Sequence, residues 1–367
     1  MKNFYYIKLF MIFFAAWLTF NLPANANNIG KTTSPDGKNV VNILLDDAGC
    51  LSYTVTRTGQ PFIGPSSMGL NADNEDFSNG LVFESSNDEI INENYTLPTG
   101  KTSKYQNICN ETTFSFSKDI YKLKIVVRCY NDGIAFRYII DGNGTINITG
   151  EKSEVQIPTL TTCWGEQYVS DYSTQYPART WVETTALPDH KMCAPILVRS
   201  SIGDDAWALI TESAVLGSYS ASAMISGDVS EIGKFTYQPQ SDASVTLPFT
   251  SPWRTVYIGN LKDLVVSNLN ENLNKPTDIS DMSWIKAGLS SWDWGGQDGS
   301  QTNDINVIKD YINMAYEMGW PYYTLDEGWA YSSYPLKDVT DYAKSKGVKV
   351  FIWSHSRRFE NDENQTR

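Results

Sequence analysis

The stretch YYTLDEGWAYSSYP, Tyr322 to Pro335, places two adjacent carboxylates directly after a short run of apolar and aromatic residues. The run YYTL has the composition of a buried β-strand. A charge at the end of such a strand is unfavourable unless it is paired or faces a hydrated site. Asp326 and Glu327 are therefore predicted to lie at a strand end where a ligand binds, and a solvated loop is the alternative explanation.

Two helical segments and two further strand-like segments flank this stretch. Apolar residues recur at helical spacing in residues 302–319 and 336–347, and a glycine ends each segment. Residues 287–292 and 348–354 have the composition of strands. Strands that alternate with helices predict a parallel sheet with right-handed crossovers. Because a closed barrel needs eight strands, we expect residues 277–367 to be the first part of a (β/α)8 TIM barrel, truncated after its third strand; a small doubly wound domain is the alternative.

In barrels of this kind the functional side chains lie at the carboxyl ends of the strands. Carboxylates, indoles and an imidazole at these positions are typical of carbohydrate sites, because indole faces stack on sugar C–H groups and carboxylates accept hydrogen bonds from hydroxyls. Adjacent residues on an extended chain point to opposite sides, so Asp326 rather than Glu327 is expected to face the centre. Core packing of the tryptophans and a structural histidine are the alternatives. The predicted substrate-binding residues are Trp292, Asp293, Trp294, Asp326, Glu327, Trp329 and His355.

From about Ser34 to Pro276 the chain has a different pattern. Short segments rich in β-branched and aromatic residues, such as KLKIVVRCY and GIAFRYII, are separated by turn signals such as PDGK and NDG. Many short strands at fairly even spacing predict a large sandwich of two antiparallel sheets. A polar linker near Pro276 follows. We therefore expect a multidomain protein, with an N-terminal antiparallel β-sandwich over residues 27–276 and the incomplete barrel after it.

The 367-residue chain has a formal net charge of -13 and no long basic run, which argues against a nucleic-acid partner. Residues 1–26 have the features of a cleavable signal peptide: lysines near the start, a short apolar run and the small-residue site ANA. We expect cleavage after Ala26 and export, to the periplasm if the source has two membranes. No later segment is long and apolar enough to be predicted as a transmembrane helix.

The chain contains five cysteines and no C-x-x-C pair, so their spacing gives no support for a zinc or thioredoxin-like site. A disulfide between Cys109 and Cys129 is one interpretation, and buried thiols that act as small hydrophobic side chains are the other. Because the number is odd, at least one thiol is expected to be free.

Several stretches, in the same order, resemble glycoside hydrolase family 97, a family of exported bacterial enzymes that cleave α-glucosides or α-galactosides. The similar stretches are SPDGKNVVNILL, YNDGIAFRYII and SPWRTVYIG before the linker, and SWIKAGLSSWDW, MGWPYYTLDEGW and GVKVFIWSHS after it. The resemblance implies an N-terminal β-sandwich, a catalytic (β/α)8 barrel and a small C-terminal β-domain. It also implies that the substrate is an α-linked oligosaccharide.

The resemblance has a consequence for catalysis. Glycoside hydrolysis needs two carboxylates across the scissile bond. In the family both come from later barrel strands, with an aspartate nucleophile in retaining members and glutamate bases in inverting members, and no position of this sequence matches them. The acid and the base or nucleophile are therefore expected to lie beyond Arg367, so no catalytic residue is predicted in this chain and the chain alone is expected to be inactive. The pattern predicts neither the stereochemical course nor the oligomeric state.

The family is calcium-dependent, and the resemblance implies an ion held mainly by barrel glutamates with help from the sandwich. Calcium prefers six to eight oxygen ligands, and WGEQYVSDYSTQY lies where the sandwich ligand is expected. This stretch lacks the glutamate expected near Ser173. Glu166 or Asp171 is predicted as a substitute, with ordinary surface acids as the alternative, so the Ca²⁺ site is expected to be incomplete.

Two other functions stay open from the sequence. A lectin-like β-sandwich that binds carbohydrate without catalysis would explain the abundant aromatic residues. A barrel α-galactosidase of a related family, which also combines a β-sandwich with an aspartate after an early strand, would explain Asp326. The preferred prediction is a glycosidase of the α-glucosidase or α-galactosidase type.

Overall fold

The computed structural model describes residues 26–98, 100–169, 175–203, 206–294 and 304–354. Within them the chain divides into two compact units. The first unit, the sheet domain, comprises the described residues up to Leu97 and from Thr102 to Pro276. The second unit, the parallel unit, comprises Pro98–Lys101 and the described residues from Thr277 onward. The predicted signal peptide, apart from Ala26, lies outside the described residues.

Short strands dominate the sheet domain, and its helices are brief. Its elements in chain order are β1 (Asn27–Thr33), β2 (Asn39–Leu45), β3 (Leu51–Arg57), β4 (Gln60–Met68), β5 (Leu70–Ala72), β6 (Val82–Thr96), β7 (Lys104–Lys118), β8 (Tyr121–Tyr130), β9 (Gly133–Asp141), β10 (Thr145–Glu151), β11 (Glu154–Gln156), β12 (Leu160–Gln167), β13 (Ala178–Arg179), α1 (Trp181–Thr185), a 3-10 helix (Pro188–His190), β14 (Lys191–Ser200), β15 (Trp207–Ser213), β16 (Ser222–Ser226), β17 (Lys234–Pro239), β18 (Ala243–Thr246), β19 (Phe249–Thr250), β20 (Trp253–Gly259), α2 (Leu261–Val266) and α3 (Leu269–Asn272).

These strands form antiparallel sheets. A four-stranded sheet has the order β1-β2-β3-β4, and a three-stranded sheet has the order β18-β10-β5. The large sheet follows the path β11-β17-β16-β14-β15-β20-β9-β8-β7-β6, with β12 and β13 beside β14 and with β19 beside β9. The prediction of a large antiparallel N-terminal domain with few helices is confirmed.

Apolar side chains cover both faces of the large sheet. On one face Tyr53 of β3 packs against Phe136 of β9, with ring centroids 5.2 Å apart, in a core that the sheets share. On the other face Trp253 of β20 packs in a second cluster with Leu264 of α2 and Leu269 of α3. The burial of every residue of β20 follows from this arrangement, because side chains of a strand alternate between the two faces.

All five cysteines have free thiols. Cys129 pairs across β7 and β8 with Asn110, so Cys109 is one residue out of register with it. Since successive side chains point to opposite faces of a sheet, Cys109 lies in the cluster around Trp253, whereas Cys129 lies in the shared core. The two thiols are therefore on opposite faces of the sheet, and the disulfide interpretation does not hold.

A fully paired ion cluster is buried in the sheet domain. The guanidinium of Arg254 has no exposed surface, and its Nε donates a hydrogen bond of 2.7 Å to Glu151 Oε1. Other nitrogens of Arg254 donate to the second oxygen of Glu151 and to Glu212. The hydroxyl of Tyr219 donates to Glu151 at 2.6 Å. Each buried charge thus has an opposite charge and further hydrogen bonds, the condition under which burial is tolerated.

The parallel unit has the alternating pattern predicted from the sequence. Its three strands are parallel and lie in the order β21-β22-β23. Side chains of both helices pack on the central strand in one apolar core. The elements are β21 (Ser290–Trp292), α4 (Ile305–Glu317), β22 (Tyr322–Leu325), a 3-10 helix (Glu327–Tyr331), α5 (Leu336–Ser345) and β23 (Lys349–Ile352).

Local signals explain the bounds of these elements. Asp304 caps α4, because its side chain accepts a hydrogen bond of 2.8 Å from the backbone nitrogen of Asn306. Gly319 and Gly347 follow the two helices with positive φ angles of 69° and 73°, the left-handed conformation that favours glycine after a helix. Among the described helices of the chain, none combines the length and the hydropathy needed to cross a membrane. Closure of the three strands into a barrel stays a prediction.

Candidate functional site

The predicted site residues of the parallel unit lie on two opposite faces of the sheet, because side chains alternate along a strand. Ser291 pairs with Tyr323, and Trp292 pairs with Thr324. Tyr323 is buried in the core formed with the two helices, and Ser291 Oγ donates to the backbone oxygen of Tyr311 in α4. Ser291 and Tyr323 therefore face the helices. Trp292 and Thr324 face the opposite side of the sheet, where side chains of a closed barrel would converge.

Trp292 and Asp326 are joined directly on this second side. Trp292 Nε1 donates a hydrogen bond of 2.8 Å to Asp326 Oδ2. Asp326 Oδ1 accepts a hydrogen bond of 2.6 Å from the backbone nitrogen of Glu327, so the same carboxylate caps the 3-10 helix that begins there. Asp326 is only 3% exposed. Its two oxygens are thus occupied by a side chain and a backbone group that come from different strand ends.

An exposed aromatic surface lies beside this hydrogen bond. The rings of Trp292 and Trp294 stack with centroids 5.5 Å apart and an interplanar angle of 20°. These two side chains, the indole pair, are 45% and 41% exposed. Because Asp326 holds the nitrogen of Trp292, the orientation of one indole is fixed before any ligand arrives. The indole pair is therefore a flat, exposed apolar surface, and one of its two rings is oriented by a hydrogen bond to Asp326.

Asp293 lies apart from the indole pair, on the helix side of the sheet. Its side chain has no exposed surface, and its Oδ2 accepts a hydrogen bond of 3.1 Å from Tyr323 Oη. Its Oδ1 has no hydrogen-bond partner within the described part of the chain. Burial raises the pKa of the Asp293 carboxyl above its usual range, and the negative charge of Asp326 adds to the shift. Asp293 is therefore buried on the face of the sheet opposite to the indole pair.

Two tyrosines that the sequence analysis did not select complete the surroundings of Asp293. Burial and the Asp293 charge raise the pKa of Tyr323 well above its usual range, which keeps it a hydroxyl donor. Tyr334 Oη is buried and has no partner among the described residues, and its pKa is raised by burial and by Asp293. Tyr323 could have been found from strand alternation. It lies one residue before Thr324 in β22, so its side chain points to the face of the sheet on which Asp293 lies.

The remaining predicted residues of the parallel unit occupy different positions. Trp329 is partly buried against the helix core, and its Nε1 donates a hydrogen bond of 2.9 Å to the backbone oxygen of Trp353. This bond ties the 3-10 helix to the end of β23 and leaves Trp329 with a structural contact. Glu327 is partly buried at the start of that helix. His355 lies outside the described residues. Arg367 does so too, and the location of the acid and base beyond it stays a prediction.

The predicted calcium ligands lie in the sheet domain. Glu166 on β12 is only 4% exposed, and the pKa of Tyr176 is raised by partial burial and by a hydrogen bond with the Glu166 carboxylate. Asp171 lies outside the described residues. Across the described ranges, no group of three or more His, Cys, Asp or Glu side chains is placed to hold a metal ion. The incomplete Ca²⁺ site therefore stays a prediction, since calcium prefers six to eight oxygen ligands.

A comparison with protein families matches the profile described as Glycosyl-hydrolase 97 N-terminal to residues 32–276, more than half of the chain. Two curated relatives match beyond that range. A probable retaining alpha-galactosidase of Streptomyces bingchenggensis is 30% identical over 338 residues, which cover 86% of this chain and 51% of the relative. The retaining alpha-galactosidase of Bacteroides thetaiotaomicron is 29% identical over 378 residues, which cover 90% of this chain and 56% of the relative.

A solved structure shares the fold. A glycoside hydrolase family 97 enzyme from Pseudoalteromonas sp. strain K8, in complex with acarbose, superposes with a TM-score of 0.73 at 23% identity, covering 88% of this chain and 53% of that one. The chain thus spans about half the length of the curated relatives that it matches. The profile match over residues 32–276 decides between the two glycosidase families considered from the sequence. The chain belongs to glycoside hydrolase family 97.

Proposed function

We propose that this chain forms part of an exported glycoside hydrolase that cleaves α-galactosidic or α-glucosidic bonds, with the indole pair and Asp326 in its substrate-binding surface. The observation that carries the proposal is the 2.8 Å hydrogen bond from Trp292 to Asp326 beside two stacked, exposed indoles. Family membership and the names of the two curated relatives support glycosidase chemistry. The complex of the structural relative with acarbose supports an oligosaccharide as the substrate.

The indole pair has the properties that sugar binding requires. The apolar C–H faces of a pyranose ring pack on flat aromatic surfaces, and tryptophan offers the largest such surface at a small cost in conformational entropy. The anchored orientation of Trp292 reduces that cost further, because the side chain is already ordered in the free protein. Asp326 is almost completely buried, so its main role is to hold the indole, and direct ligand contact falls on Trp292 and Trp294.

The catalytic acid and base are proposed to come from segments other than those described here. Hydrolysis needs two carboxyl groups that reach the scissile bond from opposite sides. Asp293 is buried and bonded to Tyr323, and Asp326 is bonded to Trp292 and to the backbone of Glu327. Both oxygens of Asp326 are engaged and Asp293 has no exposed surface, so both carboxylates are assigned supporting roles.

The parallel unit is proposed to be the first part of a (β/α)8 barrel. Phe351 and Ile352 on β23 are 53% and 46% exposed, and β21 and β23 are the edges of the described sheet. Exposed apolar side chains and open strand edges are normally covered in a stable protein. Further strands and helices that continue the sheet would cover the open edges and these exposed side chains. Export is proposed from the signal-peptide features of residues 1–26, and a mature N-terminus at Asn27 after expression in a bacterial host would test it.

Tryptophan fluorescence tests the binding surface. Titration of the chain from Asn27 with melibiose and with maltose should change the emission, because sugar contact alters the environment of Trp292 and Trp294. Trp294→Ala should raise the Kd roughly tenfold, the effect of losing one stacking partner. Trp284→Ala removes another exposed indole of the parallel unit, 67% exposed, and serves as the matched control. Equal affinities for both variants would contradict the proposal.

Turnover tests the assignment of catalysis. The purified chain should release no nitrophenol from p-nitrophenyl α-galactopyranoside or α-glucopyranoside above the rate in buffer, since Asp293 is buried and both oxygens of Asp326 are engaged. Turnover that Asp326→Asn abolishes would show that the described residues include a catalytic group, and the supporting roles proposed here would then be wrong.

A further inference from the structure

The two rings of the indole pair are held in different ways. Trp292 is the last paired residue of β21, opposite Thr324, and its Nε1 is bonded to Asp326. Trp294 lies beyond the end of β21, and its side chain donates no hydrogen bond to any residue that the structure describes. Its ring stacks on Trp292, with centroids 5.5 Å apart. The orientation of Trp294 therefore depends on how the backbone before it is held.

The side chain of Asp293 holds this part of the backbone. Asp293 Oδ2 accepts a hydrogen bond of 3.1 Å from Tyr323 Oη. Tyr323 is paired with Ser291, so its hydroxyl reaches two residues past its own partner, to a point where β21 has ended. Tyr323 has no exposed surface and belongs to the apolar core of the parallel unit. The hydrogen bond thus connects the segment between the two indoles to the packed interior.

Asp293 is an unfavourable residue for the stability of the fold. Its carboxyl has no exposed surface and one neutral donor, and its Oδ1 has no partner among the described residues. Burial raises the pKa of this carboxyl, and the negative charge of Asp326 raises it further. Apolar residues of similar size would fill the same space without the penalty of a buried charge. Carboxyl groups in such surroundings are concentrated at functional sites, which indicates a role other than stability.

We propose that Asp293 is a positioning residue of the sugar-binding surface and holds Trp294 in the stacked orientation through its hydrogen bond with Tyr323. This inference rests on the proposed function and gives a specific role to a residue that is too deeply buried to contact the sugar. Asp326 and Asp293 then fix the two indoles from opposite faces of the sheet, one through the ring of Trp292 and the other through the backbone before Trp294. An indole that is ordered in the free protein loses less conformational entropy when the sugar binds.

The double variant Asp293→Leu/Tyr323→Phe separates positioning from stability. Replacement of both partners of a buried hydrogen bond by apolar groups of similar shape is nearly neutral for stability or favourable. We therefore expect a melting temperature at pH 7 that is equal to or above that of the wild type. The Kd for melibiose or maltose should nevertheless be about tenfold higher, because Trp294 is no longer held for stacking. Fluorescence titration of the chain from Asn27 measures the Kd.

Two single variants serve as controls. Asp293→Asn keeps an acceptor for Tyr323 Oη and should bind both sugars with nearly the wild-type affinity. Tyr342→Phe removes another tyrosine hydroxyl of the parallel unit, which is bonded to Asn313 of α4 at 2.8 Å, and should leave the sugar affinity unchanged. An equal rise of the Kd in Tyr342→Phe and in the double variant would overturn the inference, because the effect would not be specific to Asp293.

The indole N–H signals of the sugar-free chain provide a readout that does not require binding. Stacked rings shift each other's signals, so the Trp294 signal should move in the double variant and stay in place in Asp293→Asn and Tyr342→Phe. A Trp294 signal that the double variant leaves in place would overturn the inference.

Two results of the binding and melting experiments would also overturn it. One is unchanged sugar affinity in the double variant. The other is weaker binding together with a lower melting temperature, which would make the role of Asp293 structural. If the wild type binds neither sugar, the proposed function fails, and the Trp294 signal still decides whether Asp293 positions the indole.

Discussion

The buried carboxylates of the sheet domain and those of the parallel unit are compensated in opposite ways. Glu151 in the sheet domain meets a guanidinium on two sides and a tyrosine hydroxyl on a third. Asp326 in the parallel unit meets only neutral donors, an indole and a backbone nitrogen. Asp293 has one neutral partner and one oxygen without any among the described residues.

This difference separates charges that stabilise a fold from charges that prepare a site. A buried ion pair with full hydrogen bonding has no donor or acceptor left for a ligand. Removal of one partner therefore lowers the free energy of unfolding. The carboxylate of Asp326 has neutral partners and lies beside exposed indoles. Its loss should therefore lower the affinity for sugar as well as the stability. The first three predictions below test this distinction, and the fourth tests the placement of the thiols.

The largest effect is expected for Arg254→Met. Methionine has a similar volume but leaves Glu151 and Glu212 without their cation inside the core. Breaking a buried ion pair in this way should lower the free energy of unfolding of the sheet domain by about 3–5 kcal/mol. Urea unfolding followed by circular dichroism measures the change.

A surface ion pair provides the control for this experiment. Lys337 and Asp341 pair on the exposed side of α5. Lys337→Ala should leave the unfolding midpoint unchanged, because solvent screens exposed pairs. A loss below about 1 kcal/mol for Arg254→Met would show that the cluster is not needed for stability, in contrast to what its burial implies.

A smaller loss of stability, together with a loss of binding, is expected for Asp326→Ala. The change removes the acceptor for Trp292 Nε1 and the cap of the 3-10 helix. A hydrogen bond to a charged group contributes about 1.5–3 kcal/mol, and the freed indole should lose its fixed orientation. Asp310→Ala on the exposed side of α4 is the control. Unchanged sugar affinity in Asp326→Ala would show that Asp326, like Glu151, contributes to stability alone.

The stability of the parallel unit should depend on pH through Asp293. Its pKa is higher in the folded chain than in the unfolded chain, so the folded state binds more protons between the unfolded value, about 3.9, and the raised folded value. Stability therefore falls as the pH rises through this window. Asp293→Asn, which mimics the protonated acid, should compare more favourably with the wild type at pH 7 than at pH 4. Equal differences at both pH values would contradict the assignment.

The smallest effect concerns the thiols. Burial raises the pKa of Cys109 to about 11 and that of Cys163 to about 12, whereas Cys50 and Cys193 are partly exposed. Ellman's reagent should therefore react slowly with at most two thiols of the folded chain, and with all five after denaturation. A count of three after denaturation without reductant would indicate a disulfide and contradict the placement of Cys109 and Cys129 on opposite faces.

Local patterns were sufficient to predict most of the parallel unit. The strand YYTL occupies Tyr322–Leu325 as predicted, and α4 and α5 lie within the predicted helical segments. The strand expected over residues 287–292 is shorter, Ser290–Trp292. Periodicity and glycine stops are properties of neighbouring residues, and this explains why a single sequence reveals them.

The contacts that define the site could not be predicted in the same way. Asp326 and Trp292 are 34 residues apart, and Arg254 and Glu151 are 103 residues apart. Their pairing depends on strand order and register, which local composition does not determine. The burial of Asp293 follows from the same register, because it places the side chain on the helix side with Tyr323.

The most direct test of the central claim is the response of the tryptophan indole N–H signals to sugar in a ¹H–¹⁵N spectrum. The account predicts that melibiose or maltose shifts the signals of Trp292 and Trp294, assigned through Trp292→Phe and Trp294→Phe, and leaves the buried Trp181 and Trp253 unchanged. Saturating sugar that leaves the signals of the indole pair in place would contradict it.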